Sequence, residues 1–364
     1  MTSLSGLRVL DLSRLLPGPI ASWMLTGQGA RVLKVEPIAG EPTRRLPPEV
    51  DGAGAWFASL ARGQRSLALD FRHAEAAGVL ERLVAVHDVV LEGFRPGVLE
   101  AMGCDPAAWV EQGVIVARLS GWGQTGPWRD RSAHDVGYVA ASGALAMMER
   151  PMPLPVQLAD VLAGHQAAFG VAAAVAAQAT ERAAGRPVRG HLLDLGLGEA
   201  ALAAVVPALA MAGAGRAEPV PGGEWLTGGL PAYGAYEASD GWVSIGALEP
   251  HFLERLHSVV GAVDRATIAA WCATRSRSEI ESLLASATCV AVTRIGEVGG
   301  HPQHLARGAV ATVGGVTWIR PPLADATWFD GTVPRLSEHA AEALLEAGVD
   351  ADTIADLVAR RVVR

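Results

Sequence analysis

The sequence predicts an α/β protein with a Rossmann-like, doubly wound large domain and a smaller α+β domain. Three observations indicate this class. Strand-like and helix-like segments alternate over the first 120 residues, and such alternation builds parallel sheets covered by helices on both faces. A segment rich in Gly and Pro follows at 212–231, as linkers often are. Beyond it, a hairpin pattern begins a second sheet.

The first βαβ unit lies at the N-terminus. The runs LRVLDLS (7–13) and RVLKVE (31–36) are apolar and rich in β-formers, which is typical of buried strands. Between them, PGPIASWMLTGQGA (17–30) has Pro near its start and Gly near its end, as helices commonly do. The alternation continues with a strand at 65–71, a helix at 74–87, a strand at 88–94, a helix interrupted at Pro106 and a strand at 114–120.

A long helix at 160–183 and the strand-like run GHLLDLGL complete the large domain, which we place at 1–211. The linker at 212–231 leads to a small domain at 232–315, which opens with the hairpin pattern YGAYEASDGWVSIGA. The remaining residues, 316–364, contain two amphipathic helices and are predicted to return to the large domain.

Composition excludes several classes of protein. The formal net charge is −8 and no long basic run is present, which argues against a nucleic-acid partner. The longest apolar run, at 161–185, is mostly alanine, so we expect an interior helix and no membrane span. The three cysteines are scattered and form no CxxC pair. We therefore expect a cytoplasmic protein without a metal site. A single lysine, Lys34, among thirty basic residues is attributed to an Arg-biased composition.

The run GWGQTG (121–126) matches the GxGxxG pattern of dinucleotide-binding loops and follows a predicted strand. That fingerprint also requires a helix to open at the glycines, so that its N-terminus holds the pyrophosphate. Here Pro127 and Trp128 follow instead, with a charged RDR after them. We therefore interpret the run as a loop and do not expect NAD or FAD to bind there.

Three residues are candidate acids or bases. His134 lies in DRSAHDVGY, Asp160 follows 26 residues later near the start of the long helix, and Glu249 precedes Pro250 in GALEPHF. Each also has an ordinary structural interpretation. His134 suits the edge of a core, Asp160 suits a helix N-cap, and Glu249 suits a first-turn acid. The residues alone leave both interpretations open.

Several ordered motifs together resemble the family III CoA-transferase superfamily, the CaiB/BaiF-like proteins. They are LSGLRVLDLSRLLPGPIASWMLTGQGARVLKVE, GQRSLALDFR, LEGFRPGVLEAMG, RLSGWGQTGPW, YEASDGWVSIGALEPHF and PRLSEHAAEALLEAGV, which together span nearly the whole chain. The resemblance implies an interlocked homodimer in which each chain threads through the other. It also implies that coenzyme A arrives as part of the substrate, with no further cofactor.

Within the superfamily, transferases usually carry a residue other than histidine before the aspartate of the opening motif, whereas α-methylacyl-CoA racemases carry Gly-His-Asp. This chain has Ala133-His134-Asp135, which resembles the racemase branch. The resemblance assigns His134 and Asp160 as acid/base groups and Glu249 as a third catalytic residue. Inversion α to a thioester needs a base on one face and an acid on the other. We expect the start of the long helix to offer backbone N–H donors to the enolate.

The resemblance also implies which residues contact CoA. These are Leu69, Asp70, Phe71, Arg72, Gly93, Phe94, Arg95, Ala133, Asp135 and Tyr138. Family members commonly carry arginines where this chain has Pro37 and Ala101. Lost phosphate contacts of that kind are worth about 1.5–3 kcal/mol each. Arg44, Arg45, Arg72 and Arg95 are the candidates to compensate.

Two alternatives to epimerisation of a 2-methyl-branched acyl-CoA remain. In the first, the chain transfers CoA between acids, and Asp160 is a nucleophile that forms a mixed anhydride and then an enzyme thioester. In the second, it binds an acyl carrier without turnover. His134 separates the first alternative from the racemase, because transfer has no step for it.

Overall fold

The computed structural model describes residues 3–217 and 219–364, which divide into two compact units. The large unit contains the residues up to Ala141, Leu154–Ala203 and Pro302–Arg364, and the small unit contains Ser142–Pro153 and Ala204–His301. These bounds differ from the predicted ones. Residues 142–153 and 204–211 belong to the small unit, and the chain re-enters the large unit at 302 instead of 316.

The strands of the described residues are short and regularly spaced. In chain order they are β1 Arg8–Leu12, β2 Arg31–Pro37, β3 Glu49–Val50, β4 Ala53–Gly54, β5 Arg65–Leu69, β6 Val89–Glu92, β7 Ile115–Ser120, β8 His191–Gly196, β9 Tyr233–Ala238, β10 Gly241–Gly246, β11 Cys289–Ala291, β12 Val310–Val313 and β13 Val316–Ile319.

The α-helices of the described residues lie mostly between these strands. They are α1 Pro17–Gly27, α2 Ala55–Ala61, α3 Ala76–Val84, α4 Val98–Ala101, α5 Pro106–Glu111, α6 Asp135–Ala141, α7 Leu158–Ala183, α8 Leu197–Leu202, α9 Val206–Gly213, α10 Pro250–Val260, α11 Arg265–Ala273, α12 Arg277–Leu284, α13 Pro302–Ala306, α14 Ala340–Glu346 and α15 Ala351–Ala359.

The large unit is built on a six-stranded sheet in the order β5-β2-β1-β6-β7-β8. Every neighbouring pair in it is parallel. Counted along the chain within this sheet, that order is 3-2-1-4-5-6, the order of the doubly wound dinucleotide-binding fold. The predicted fold class is confirmed. The winding reverses between β1 and β6, and such folds hold their ligands outside the carboxyl ends of the strands at this point.

The central strands are apolar because both faces of the sheet are covered. β6 and β7 are buried along their whole lengths. One core joins side chains of the sheet to those of α3 and the C-terminal helices; it includes Leu10, Leu33, Leu67, Val90, Val116, Leu80, Leu83, Ala343, Leu344 and Leu357. Burial on both faces explains why β-rich runs, without polar alternation, marked these strands in the sequence.

The long helix α7 packs closely along α1. A Cβ on Gly164 would lie 2.6 Å from the carbonyl oxygen of Pro17 and 2.7 Å from the Cβ of Ile20, so only glycine fits at this crossing. Ala163 and Ala167 are buried on the same helix. By length and composition alone α7 would be long and apolar enough to cross a membrane, and here its small residues allow α1 to approach. This packing holds the start of α7 beside the loop that follows β1.

The small unit contains an antiparallel sheet in the order β11-β10-β9. The predicted hairpin is present: β9 ends at Ala238 and β10 begins at Gly241, whose φ is +152°. Helices α10, α11 and α12 supply Leu256, Ile268 and Ile280 to its core. The segment predicted as a linker contains the end of α9 and a helical turn at Trp225–Gly229. Helix α2 and the hairpins β3–β4 and β12–β13 were not predicted from the sequence.

Candidate active site

A cavity of about 310 Å³ lies in the large unit. Residues that directly follow four strands of the sheet line it. Ser13 follows β1, Gly93 follows β6, Gly121 follows β7 and Leu197 follows β8. The cavity therefore opens at the carboxyl ends of the strands, where the winding reverses between β1 and β6, and this is where the fold class holds its ligands.

His134 and Asp160 both line this cavity. His134 immediately precedes α6, its side chain is exposed, and its backbone oxygen accepts a hydrogen bond from the amide of Gly137 at 2.7 Å. Asp160 is half-buried and is the third residue of α7. The structure thus brings together two of the three predicted acid/base groups, which are 26 positions apart in the sequence.

Asp135 occupies a role that sequence analysis did not assign to it. One of its carboxylate oxygens, Oδ1, accepts hydrogen bonds from the backbone amides of Ala159 at 2.7 Å and Asp160 at 3.2 Å. Asp135 therefore caps the start of α7 from 24 residues away, and the N-cap position itself, Gln157, makes no side-chain capping bond. The interpretation of Asp160 as an N-cap is wrong.

The capping by Asp135 also limits which backbone amides at the start of α7 are available to a ligand. The start of the long helix was expected to offer backbone N–H donors to an enolate, and two of its amides, those of Ala159 and Asp160, already donate to the Asp135 carboxylate. Because a backbone N–H has one hydrogen to donate, these two amides are already used in hydrogen bonds to Asp135. The negative charge of Asp135 also offsets the positive end of the helix dipole at this position.

The pKa of Asp160 is raised from its ordinary range to about 6. Burial is the main cause, since it disfavours the charged carboxylate, and repulsion by Asp135 adds to it, while His134 acts in the opposite direction. Burial together with Asp160 and Asp135 raises the pKa of Tyr138 as well. A carboxyl group that titrates near 6 exists in both forms close to neutral pH. It is therefore suited to accept a proton in one step and donate it in another.

Replacing Asp135 with asparagine is expected to lower the pKa of Asp160. Asparagine keeps the acceptor oxygen that caps α7 and removes the negative charge that disfavours ionisation of Asp160. Titration of the Asp160 carboxyl carbon by NMR would measure the shift. Asp130→Asn, a change at another acidic residue of the cavity lining, is the control and should leave this pKa in place. An unchanged or higher pKa in Asp135→Asn would contradict this assignment.

The predicted CoA contacts divide into two groups. Six of them line the cavity: Gly93, Phe94, Arg95, Ala133, Asp135 and Tyr138. The segment Leu69–Arg72 is not among the lining residues. It runs from the buried end of β5, where the amide of Asp70 donates to the carbonyl of Val362 at 2.9 Å. Phe71 packs edge-on against Phe94 with ring centroids 5.4 Å apart, so this segment supports the cavity wall from behind.

Arginines line the cavity, but most are not the predicted ones. Arg44, one of the candidates to compensate at Pro37 and Ala101, is engaged elsewhere: its Nε and Nη2 lie 2.6 and 2.7 Å from the carboxylate of buried Glu36. Arg95 does line the cavity, and Arg14, Arg129 and Arg131 join it there. These three were not predicted from the sequence, although Arg129 and Arg131 belong to the charged run before His134. Guanidinium groups of this kind suit a phosphate-bearing ligand.

Glu249, the third predicted catalytic residue, belongs to the small unit. It is the N-cap residue of α10 and makes no side-chain capping bond there. Its position before a helix that begins at Pro250 agrees with the sequence pattern. Its catalytic role stays a prediction.

Comparison with known proteins places the site in a family. Residues 4–340 match the family model of CoA-transferase family III. The chain is 31% identical to the succinyl-CoA–L-malate CoA-transferase β subunit of Chloroflexus aurantiacus, covering 99% of this chain and 98% of that protein. It is 30% identical to the α-methylacyl-CoA racemase of Mus musculus, covering 99% and 97%. The crystal structure of a CaiB/BaiF family protein from Brucella suis superposes with a TM-score of 0.80 at 26% identity, covering 94% and 99%.

Proposed function

The chain belongs to CoA-transferase family III, and we propose that within it the protein is an isomerase that epimerises the α-carbon of 2-methyl-branched acyl-CoA thioesters. The observation that carries this proposal is the presence of His134 and Asp160 in one cavity at the switch point of the sheet. The similarity to the mouse racemase over nearly the whole chain supports it, as do the arginines that line the cavity.

In the proposed mechanism, ionised Asp160 removes the α-proton from one face of the thioester and leaves an enolate. Protonated His134 then donates a proton to the opposite face, which gives the epimer. The reverse direction starts from neutral His134 and protonated Asp160. At the start of either direction the pair therefore carries a single proton, on His134 in one case and on Asp160 in the other. The state with the proton on His134 and the state with the proton on Asp160 must have similar free energies for a reaction that runs in both directions. A pKa of about 6 for Asp160 lets this carboxyl group hold a proton in one direction of the reaction and release it in the other near neutral pH.

A second candidate function is CoA transfer, which the similarity to the Chloroflexus transferase over 99% of this chain favours. In this mechanism the Asp160 carboxylate attacks the thioester carbonyl and expels the CoA thiolate, which leaves a mixed anhydride. The thiolate attacks the Asp160 carbonyl, releases the first acid and forms an enzyme thioester. The second acid reverses these steps and leaves as its CoA thioester. His134 carries no proton in this sequence.

Deuterium exchange tests the proposal. Each epimer of a 2-methylacyl-CoA is incubated separately in D₂O with the wild-type protein and with His134→Ala. We expect the wild type to incorporate deuterium at Cα from both epimers and to invert the configuration. In His134→Ala, inversion should fall by about 10²–10⁴-fold, the usual contribution of a general acid or base. Exchange should persist only from the epimer whose α-proton faces Asp160.

His191→Ala is the matched control, because His191 lies at the amino end of β8, opposite the end that reaches the cavity. The His191→Ala protein should incorporate deuterium at Cα of both epimers at wild-type rates. Absence of exchange in the wild type, with CoA transfer between carboxylic acids and no effect of His134→Ala on that transfer, would refute the racemase and support the second candidate.

We further propose that the protein acts as an interlocked homodimer and that Glu249 takes part in catalysis. Both proposals rest on the racemase resemblance of GALEPHF and of the whole chain. A cytoplasmic location, and the expected lack of nucleic-acid and membrane partners, stay predictions from composition.

A further inference from the structure

The GWGQTG run is anchored to the neighbouring strand. The amide of Gln124 donates to both carboxylate oxygens of Asp194 in β8, each at 3.0 Å. Gly123 has a φ of +82°, a backbone conformation that side chains disfavour. The loop is therefore tied down at its centre, and the glycine pattern that resembles a dinucleotide fingerprint has another physical cause.

The tryptophan of this run sits at the centre of an aromatic cluster. The ring of Trp122 meets Trp128 edge-on at a centroid distance of 4.7 Å and Tyr138 at 5.0 Å. Two glycines make room for these rings. A Cβ on Gly198 would lie 2.7 Å from ring atoms of Trp122, and a Cβ on Gly121 would lie 2.5 Å from the hydroxyl of Tyr138. The glycines thus allow the cluster to form at the wall of the cavity, whose lining includes Gly121 and Tyr138.

The cluster holds the segment that leads to the catalytic histidine. The hydroxyl of Tyr138 donates a hydrogen bond to the carbonyl of Ala133 at 3.1 Å, one residue before His134. At the start of the segment, Trp128 itself packs against Trp122, and the guanidinium of Arg131 lies 4.3 Å from the centre of the Trp128 ring. The chain from 128 to 133 is therefore held at both ends by members of one aromatic cluster, whose central ring is Trp122.

We infer that Trp122 and Tyr138 are positioning residues for His134, and that the GWGQTG run serves as the support of this histidine. The inference rests on the proposed epimerisation and adds a role for a motif outside the acid/base pair. Trp122 fixes the ring of Tyr138 by contact, and the hydroxyl of Tyr138 fixes the backbone before His134. Misplacement of a reacting group by about 1 Å can cost about 10²-fold in rate, so a loosened support should weaken one of the two proton transfers.

The test measures deuterium incorporation from each epimer separately, because each epimer presents its α-proton to one base. His134→Ala identifies the epimer that faces His134. In Trp122→Leu, exchange of that epimer should fall by about 10- to 100-fold, while exchange of the epimer that faces Asp160 should stay within about 2-fold. Trp122→Phe, which keeps an aromatic ring, should restore most of the lost rate. Tyr138→Phe should show the same one-sided loss, because it removes only the hydroxyl that holds Ala133.

Trp242→Leu is the control, since Trp242 is an exposed residue of β10 in the small unit, and it should leave both rates unchanged. An equal loss for both epimers in Trp122→Leu and Tyr138→Phe would overturn the inference and leave the proposed function standing. If Trp122→Leu fails to fold, the one-sided loss in Tyr138→Phe decides the question. Absence of exchange from either epimer in the wild type would overturn the proposed function, and the inference with it.

Discussion

Asp160→Asn is expected to abolish both candidate reactions, with a loss of about 10²–10⁴-fold in turnover, the range associated with losing a general acid or base. The amide has nearly the size of the carboxyl group, but it neither accepts a proton from carbon nor attacks a thioester. In the exchange assay, deuterium incorporation should vanish from the epimer that faces Asp160 and persist from the one that faces His134. In a CoA-transfer assay, activity should vanish whichever acid is offered.

Asp264→Asn is the matched control. Asp264 is likewise an aspartate near the start of a helix, and as the N-cap residue of α11 it accepts a hydrogen bond from the amide of Thr267 at 2.9 Å. Asparagine caps helices about as well as aspartate, so this variant should keep both stability and turnover. Exchange from both epimers within tenfold of the wild-type rate in Asp160→Asn would remove Asp160 from both mechanisms and leave His134 without its counterpart.

Local patterns were sufficient for the sheet because each strand of a doubly wound domain is read from a short buried run. The runs at 7–13, 31–36 and 114–120 correspond to β1, β2 and β7 with ends displaced by at most one residue. The short elements α2, β3 and β4 were not predicted, because runs of two to seven residues show too little hydrophobic periodicity to be distinguished from loops. The unit bounds at 142–153 were not predicted, although the run MMERPMPLP at 147–155, rich in Met and Pro, marks a change of composition there.

The site was only partly predictable, for a related reason. His134 and Asp160 were found through a family resemblance, since neither has a distinctive local pattern. Asp135 and the start of α7 meet only in the folded chain, so no local pattern signals the capping that changes both the dipole and the pKa of Asp160. Arg14 lies in the loop after β1, which ends at Leu12, and no local pattern marks it. Only the strand order shows that this loop reaches the cavity.

Lys34, the single lysine of the chain, was attributed to composition, but the structure places it in a buried cluster of charged groups. It is 2% exposed, and its Nζ lies 3.3 Å from Oδ2 of Asp11 and 3.0 Å from Oε2 of Glu41. It also donates to the carbonyl of Ser13 at 3.0 Å. Burial alone would lower the pKa of Lys34, but the attraction of the two carboxylates outweighs it and the pKa is raised.

This cluster holds the loop after β1. Besides the contact of Lys34 with Ser13, the second carboxylate oxygen of Glu41 accepts a hydrogen bond from the amide of Leu15 at 2.8 Å. Ser13, Arg14 and Leu15 all line the cavity. Because the folded pKa of Lys34 lies above that of an unfolded lysine, its contribution to stability is fully present below about pH 10. The contribution is lost only as the pH rises further through the folded value.

Lys34→Met is therefore expected to lower the free energy of unfolding by about 3–5 kcal/mol, the usual cost of removing one partner from a buried ion pair. Methionine fills similar space, so most of the loss comes from leaving Asp11 and Glu41 charged and buried without a cation. Urea denaturation at pH 7 would measure it, with exposed Arg45→Met as a control that should change stability by no more than about 0.5 kcal/mol. Adding Glu41→Gln to Lys34→Met should recover part of the loss, because it removes one of the stranded charges. A loss below about 1 kcal/mol would mean that Asp11 and Glu41 do not depend on Lys34, and that the loop lining the cavity is held by other contacts.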